Sequence, residues 1–177
     1  CRLSPKHIVL WFEDQSELIV IAQHGLASGA AGNRVYIEAN SGAYAVLDEQ
    51  WSYIERGQIA SITPATGQIG TEVTIVGTNL LGGGSSTVRI QLDGVDADVT
   101  SSSNSEVLAV VNYAEFSQGT VVLTSDSGAV INSETSIWTY GDNSAVNDVQ
   151  PRFGQEGTRV TITGDRLRGH AASVTTV

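Results

Sequence analysis

One stretch of this chain recurs 87 positions further on, and that recurrence constrains the fold more than any other feature. Pro64, Gly67, Gly70, Val73, Ile75, Gly77 and Leu80 return as Pro151, Gly154, Gly157, Val160, Ile162, Gly164 and Leu167. The pair Trp51 and Tyr53 returns at the same offset as Trp138 and Tyr140. Between these matches the alignment slips: Ser41, Gly42 and Ala43 correspond to Ser127, Gly128 and Ala129 at 86, and Glu17 to Glu106 at 89. Loops that change length between elements that persist produce this pattern.

The offsets divide the chain into three. Residues 1–56 are the C-terminal part of one repeat, 57–142 a complete repeat, and 143–177 the N-terminal part of a further one. A partial repeat cannot cover its own apolar face, so both ends are expected to pack on more chain or on a neighbouring molecule. The chain has no Met, and it reads as an internal segment of a longer protein. The joints, Tyr53 to Gln58 and Tyr140 to Val146, are a few residues long, so consecutive units are expected to form a fairly stiff rod.

The residue pattern is β throughout. Val73 and Ile75 alternate with Thr74 and Val76, and Val160 and Ile162 with Thr161 and Thr163, which places each Val/Ile pair on one face of a strand. In the complete repeat the expected strands are 59–62, 72–76, 87–92, 95–99, 106–111, 120–125 and 131–140. Turn signals separate them at Gly67–Gly70, Gly82–Ser85, Asp93–Gly94, Ser117–Gly119 and Ser127–Gly128. Short strands at this density suit an immunoglobulin-like sandwich. With a single cysteine in the chain, its core must hold by apolar packing, with Trp138 and Tyr140 (and Trp51 and Tyr53 before them) as core or interface plugs. Cys1 itself is either a free thiol or half of a disulfide whose partner precedes it.

The run Ile62-Thr63-Pro64, Gly67, Gly70-Thr71, Val73-Thr74-Ile75, Gly77 and Leu80 resembles the opening of an IPT/TIG domain, and the closing Ser127-Gly128-Ala129 with Trp138 and Tyr140 resembles that family's aromatic ending. The resemblance implies an all-β fold of tandem immunoglobulin-like IPT/TIG sandwiches, one complete and two partial. It also implies a setting in surface receptors, adhesins or extracellular fibres, or beside the catalytic domain of a glycan-active enzyme. On physical grounds Pro64 suits an edge strand, and Gly67, Gly70 and Gly77 are expected at positive φ in tight turns.

Catalytic constellations are missing from the sequence. His7, His24 and His170 fall in different repeats, and there is no H-E-x-x-H, no G-x-S-x-G and no Gly-rich loop ending in Lys. Glu13 and Asp14 are strand neighbours and point to opposite faces, whereas paired-acid chemistry needs two carboxylates across a cleft. No enzyme activity and no cofactor are expected. Calcium is the one metal considered: Asp93, Asp96 and Asp98 offer oxygen ligands, with Asp142, Asn143 and Asp148 a weaker set. Neither has the spacing of an EF-hand, and exposed turn acids explain most such clusters.

The net charge is -10, with nine basic residues scattered along the chain. A phosphate backbone needs a clustered basic face, so nucleic acid is not an expected partner, and an acidic membrane surface would repel the chain. No Asn-x-Ser/Thr sequon occurs; Ser/Thr clusters at 101–103 and 133–136 could carry O-linked sugar. The expected role is a structural and adhesive repeat segment of a cell-surface or extracellular, filament-like protein, a stiff spacer and assembly module. Its partners would be neighbouring repeats and other subunits. Two alternatives stand beside it: recognition of a protein or glycan through Gly82–Thr87 and Ser101–Ser105, and accessory service to a glycan-active enzyme.

Overall fold

The computed structural model describes residues 8–10, 19–21, 33–39 and 41–175. The chain divides into two compact units, Cys1–Glu55 and Arg56–Val177. In the first, β1 (Ile8–Leu10) pairs antiparallel with β2 (Ile19–Ile21), and β3 (Asn33–Glu38) with β4 (Tyr44–Trp51). The second hairpin turns at Gly42, whose φ of +84° is left-handed, a conformation that costs glycine nothing. The Ala39 N–H donates to Ala43 O and the Gly42 N–H to Ala39 O. The turn 86 positions later copies it: Ser125 N–H to Ala129 O, Gly128 N–H to Ser125 O, and Gly128 at φ +81°.

The second unit opens with ten strands: β5 (Gln58–Thr63), β6 (Thr66–Gly67), β7 (Glu72–Thr78), β8 (Thr87–Leu92), β9 (Val95–Ser102), β10 (Glu106–Val110), β11 (Ser117–Gly119), β12 (Val121–Ser125), β13 (Val130–Asn132) and β14 (Trp138–Tyr140). Seven of them form one sheet in the order β13-β12-β8-β9-β10-β7-β5, and β11-β14-β6 form a second. The large sheet curls until β13 lies alongside β5. Two-residue alternation fills the space inside. Val73 and Ile75 from β7, Ile90 and Leu92 from β8, Val107 and Ala109 from β10, and Val121 and Leu123 from β12 all turn inward and are buried. Trp138 and Tyr140 from β14 fill the centre with an edge-to-face contact, ring centroids 5.4 Å apart. Each buried Val, Leu or Ile among them contributes about 1.5–3 kcal/mol on leaving water, which is how the sandwich closes without a disulfide.

After the sandwich, β15 (Ala145–Gln150) and β16 (Thr161–Asp165) form a hairpin. Its register reproduces that of β5 with β7 position for position. Ile62 faces Ile75 as Val149 faces Ile162, and Gln58 faces Thr78 as Ala145 faces Asp165. The bulge between Ile59 and Ser61 recurs between Val146 and Asp148. Burial, however, differs. Val73, Ile75 and Leu80 are 1, 0 and 0 % exposed, whereas Val160, Ile162 and Leu167 are 48, 36 and 39 % exposed. The strands that cover the first set (β10, β12 and β14) have no counterpart on the hairpin among the described residues.

Three expectations are corrected. Residues 131–140 are not one strand: the chain leaves the large sheet after Asn132 and re-enters as β14 in the small one. Ser133 makes the crossing, its Oγ accepting the Val121 N–H at 2.9 Å and donating to Thr135 O at 2.8 Å. The turn segments at Gly67 and at Ser117–Gly119 contain the short strands β6 and β11, which flank β14. Of the motif glycines, only Gly70 and Gly157 are left-handed, at φ +82° and +86°. Gly67 and Gly77 are close-approach positions instead: a Cβ at Gly67 would run into the Thr71 side chain, and one at Gly77 into the Gln58 carbonyl and the Leu80 side chain. Gly154 and Gly164 meet the equivalent neighbours, Thr158, and Ala145 with Leu167. Trp51 closes β4, with its side chain outside the described residues, as are Cys1, His7, Glu13, Asp14 and His24; Tyr53 is half-buried.

Candidate functional site

β7 runs between the two poles of the sandwich, about 20 Å apart at the rise of an extended strand. The chain arrives at the first pole, where Gly57 is buried beneath the Asn79 carbonyl and Ile131. Both loops singled out in the sequence for recognition lie here, and both are tied into the fold. Asp126 reaches across to Gly82–Ser86: its Oδ1 accepts the Ser85 N–H at 2.9 Å and its Oδ2 the Ser86 hydroxyl at 3.2 Å. These donors, the Ser85 amide foremost, hold the Asp126 carboxyl below the usual carboxylate range. Gly84 lies against the same carboxylate and has no room for a Cβ. In Ser101–Ser105, the Ser103 hydroxyl closes a turn on Glu106, and Asn104 accepts from Leu80 and Leu81 through its backbone and side-chain oxygens.

The calcium candidates are not drawn together. Asp93 occupies a left-handed turn position, φ +50°, with its carboxylate against Gly119. Asp96 pairs with Arg89 at 2.8 Å on the surface, and that hydrogen bond lowers its pKa. Asp98 faces the Asn112 amide at 3.4 Å. Asp142 and Asp148 turn to different arginines, Arg166 at 3.7 Å and Arg152 at 3.0 Å. Among the described residues no group of three or more His, Cys, Asp or Glu side chains could hold a metal ion, and no helix is long and apolar enough to cross a membrane.

The chain leaves by the opposite pole, and here the structure gathers Asp142 and Asn143 of the weaker calcium set with Gln68, Gly141, Ser144, Arg166 and His170, a grouping the sequence did not suggest. Gly141 N–H donates to Gly67 O at 2.8 Å. Ser144 N–H donates to Gln68 Oε1 at 2.7 Å, and the Ser144 hydroxyl lies between that same oxygen and Arg166 O. Asn143 donates to Ala114 O at 3.2 Å and accepts from Arg166 through its carbonyl at 3.3 Å. The His170 ring covers Gly141, with its Nε2 3.1 Å from Asp142 O. The recurrence of Gln68 as Gln155 was the available signal; nothing marked its partner Ser144, nor tied His170 to this joint, and neither has a like residue 87 positions earlier. Beside this joint, the loop anchored through Asn112 and Ala114 presents Tyr113 and Phe116, 61 and 67 % exposed. Two aromatics within four residues of a non-strand segment were legible in the sequence and were missed.

A disulfide-free, two-layer β-sandwich with its termini at opposite poles is an immunoglobulin-like module. The family model for the IPT/TIG domain matches residues 58–140. That segment is an IPT/TIG domain, a non-catalytic immunoglobulin-like fold. No curated protein sequence matches the chain significantly. Among solved structures, it is similar to an auxiliary nutrient binding protein from Bacteroides ovatus, at 22% identity over 52% of this chain and 22% of that one, TM-score 0.40. It is also similar to the extracellular region of plexin A4, at 20% identity over 70% and 11%, TM-score 0.45. A third is SGBP-B from a xyloglucan utilization locus in Bacteroides uniformis, at 18% identity over 75% and 35%, TM-score 0.40. The chain spans about a fifth of the length of the first structures it matches.

Proposed function

We propose that this chain is a spacer and assembly segment of a cell-surface or extracellular protein, built from successive IPT/TIG units and carrying no catalysis of its own. The observation that carries this reading is the placement of the chain ends on the complete domain. Residue 57 enters at one pole and residue 141 leaves at the other, and the next hairpin begins four residues later in the register of the domain just completed. Units joined this way add length at each repetition instead of folding back. A low share of charged residues, 16%, suits a segment whose work is mechanical. Electron microscopy of the native protein tests the proposal. Elongated particles with a regular axial repeat are expected, and a compact particle would count against it.

A second reading is recognition of a protein or glycan. It is favoured by the exposed Tyr113 and Phe116 on their anchored loop, since aromatic faces are the usual low-entropy contact surface for such ligands. Glycan and protein arrays probed with the chain and with Tyr113→Ala/Phe116→Ala separate the two readings. Binding lost in the double variant supports recognition, and no binding by the parent chain favours the spacer.

A further inference from the structure

We infer that the joint at residues 141–144 is a latch that fixes the direction in which the next unit leaves the domain. The inference takes its purpose from the spacer reading, but its geometry stands apart from it. A four-residue connection with free backbone groups would act as a hinge. Here the backbone groups are engaged from both sides. Gln68, in the loop between β6 and β7, accepts the Ser144 N–H at 2.7 Å. The Ser144 hydroxyl donates its one proton to Arg166 O, in the turn after β16, and its oxygen lies 3.0 Å from the same Gln68 oxygen. One side-chain oxygen and one hydroxyl thus connect the finished domain, the joint and the following hairpin.

The turn after β16 supplies the second half of the latch. Arg166, Gly169 and His170 all lie at positive φ, +47°, +55° and +70°. That compact path brings the turn back against the pole of the preceding domain instead of letting it run on into solvent. The His170 ring then covers Gly141, which is buried and has no space for a Cβ because the imidazole occupies it. Arg166 closes the rim on Asn143 O and Asp142. Eighty-seven positions earlier the sequence carries Ile54 where Gly141 stands and Gly83 where His170 stands, so this pairing of a bare backbone with a ring is particular to this joint.

Two spin labels test the latch in the full chain. Cys1 is replaced by Ser, and cysteines are placed at Val88 on the domain and Phe153 at the far tip of the hairpin, both exposed. The parent chain should give one narrow distance distribution. Gln68→Ala combined with His170→Ala should broaden it into a hinge-like spread, and Gly141→Val, which wedges the ring away, should shift or broaden it by itself. In parallel, the Ser144 amide should be protected from hydrogen exchange in the parent and lose that protection in Gln68→Ala, while the core amide of Val121 keeps its own. A broad distribution in the parent, or a narrow one that survives the double variant, overturns the latch. Particle length in the microscope decides the spacer reading separately: a latched joint in a compact particle would remove the purpose and leave the latch standing.

Discussion

The same isoleucine occurs twice in the same motif with different burial, and that makes the packing argument measurable. Ile75 is fully buried, facing Ile62 on one side and Val107 on the other. Among the described residues Ile162 has one strand partner, Val149, and it keeps 36 % of its surface exposed. Truncation to Ala removes three carbon groups from each. At Ile75 the transfer loss alone is about 2.4 kcal/mol. The closed surroundings add a cavity cost, for about 3–4 kcal/mol in all, within the usual range for buried Ile→Ala changes. At Ile162 part of the side chain is already in water and the open face leaves no enclosed void, so about 1 kcal/mol or less is expected. Native-state hydrogen exchange followed by mass spectrometry reads both sites in one protein. Ile75→Ala should raise exchange through β7 by more than about a hundredfold, since every 1.4 kcal/mol is a factor of ten. Ile162→Ala should change β16 by less than about tenfold. Equal effects at the two sites would refute the reasoning, and would mean that something covers the hairpin face in solution.

Three further outcomes follow from the same structure. Burial, helped by the charge of Asp93, pushes the Tyr140 hydroxyl up to about 12. The folded state therefore holds this proton where the unfolded chain releases it, and stability should be full below about pH 10 and decline as pH rises towards 12. Tyr140→Phe should remove that component from alkaline unfolding curves and, because the hydroxyl has no protein partner, should leave the domain as stable or about 1 kcal/mol more so at neutral pH; a large loss would show a missed hydrogen bond. Gly77→Ala should destabilise the domain by more than about 2 kcal/mol in urea titrations, because its Cβ meets backbone that cannot move without breaking the β5–β7 pairing; a neutral result would refute the close-approach reading. Asp126, with its pKa lowered, stabilises the Gly82–Ser86 loop above the ordinary carboxylate range and should release it as pH falls through its folded value. The Ser85 amide should then lose exchange protection, and Asp126→Asn should show no such acid transition.

Much of the sandwich was legible because its strands obey a two-residue period with one dry face: alternation puts Val73 with Ile75 on one face of a strand and Trp138 with Tyr140 on one face as core or interface plugs, and all four are buried. The departures occur where local sequence gives no period to read. β6 and β11 are two and three residues long, too short to alternate, and exist because β14 stands between them. Ser133 breaks the last strand through a hydrogen bond to Val121, a partner distant in sequence. Gly67 and Gly77 were assigned to turns because glycine is common there, when what they supply is room for a neighbouring side chain or strand. The joint was legible only as short. Its fixity depends on Gln68 meeting Ser144 across 76 positions, and no spacing rule on a single sequence joins those two residues.

The parallel pairing of β6 with β14 has a mechanical consequence. Ala65 O accepts from Thr139 N–H at 3.0 Å and Gly67 O from Gly141 N–H at 2.8 Å. Tension applied through the two ends of the domain draws these strands past one another along their length, so both bonds bear load together and must fail at once. A pull that peeled the strands apart would break them singly. With β6, early in the domain, set beside the last strand and the chain leaving by opposite ends, a pull on the two ends loads this pair in shear before either sheet can be drawn out into thread.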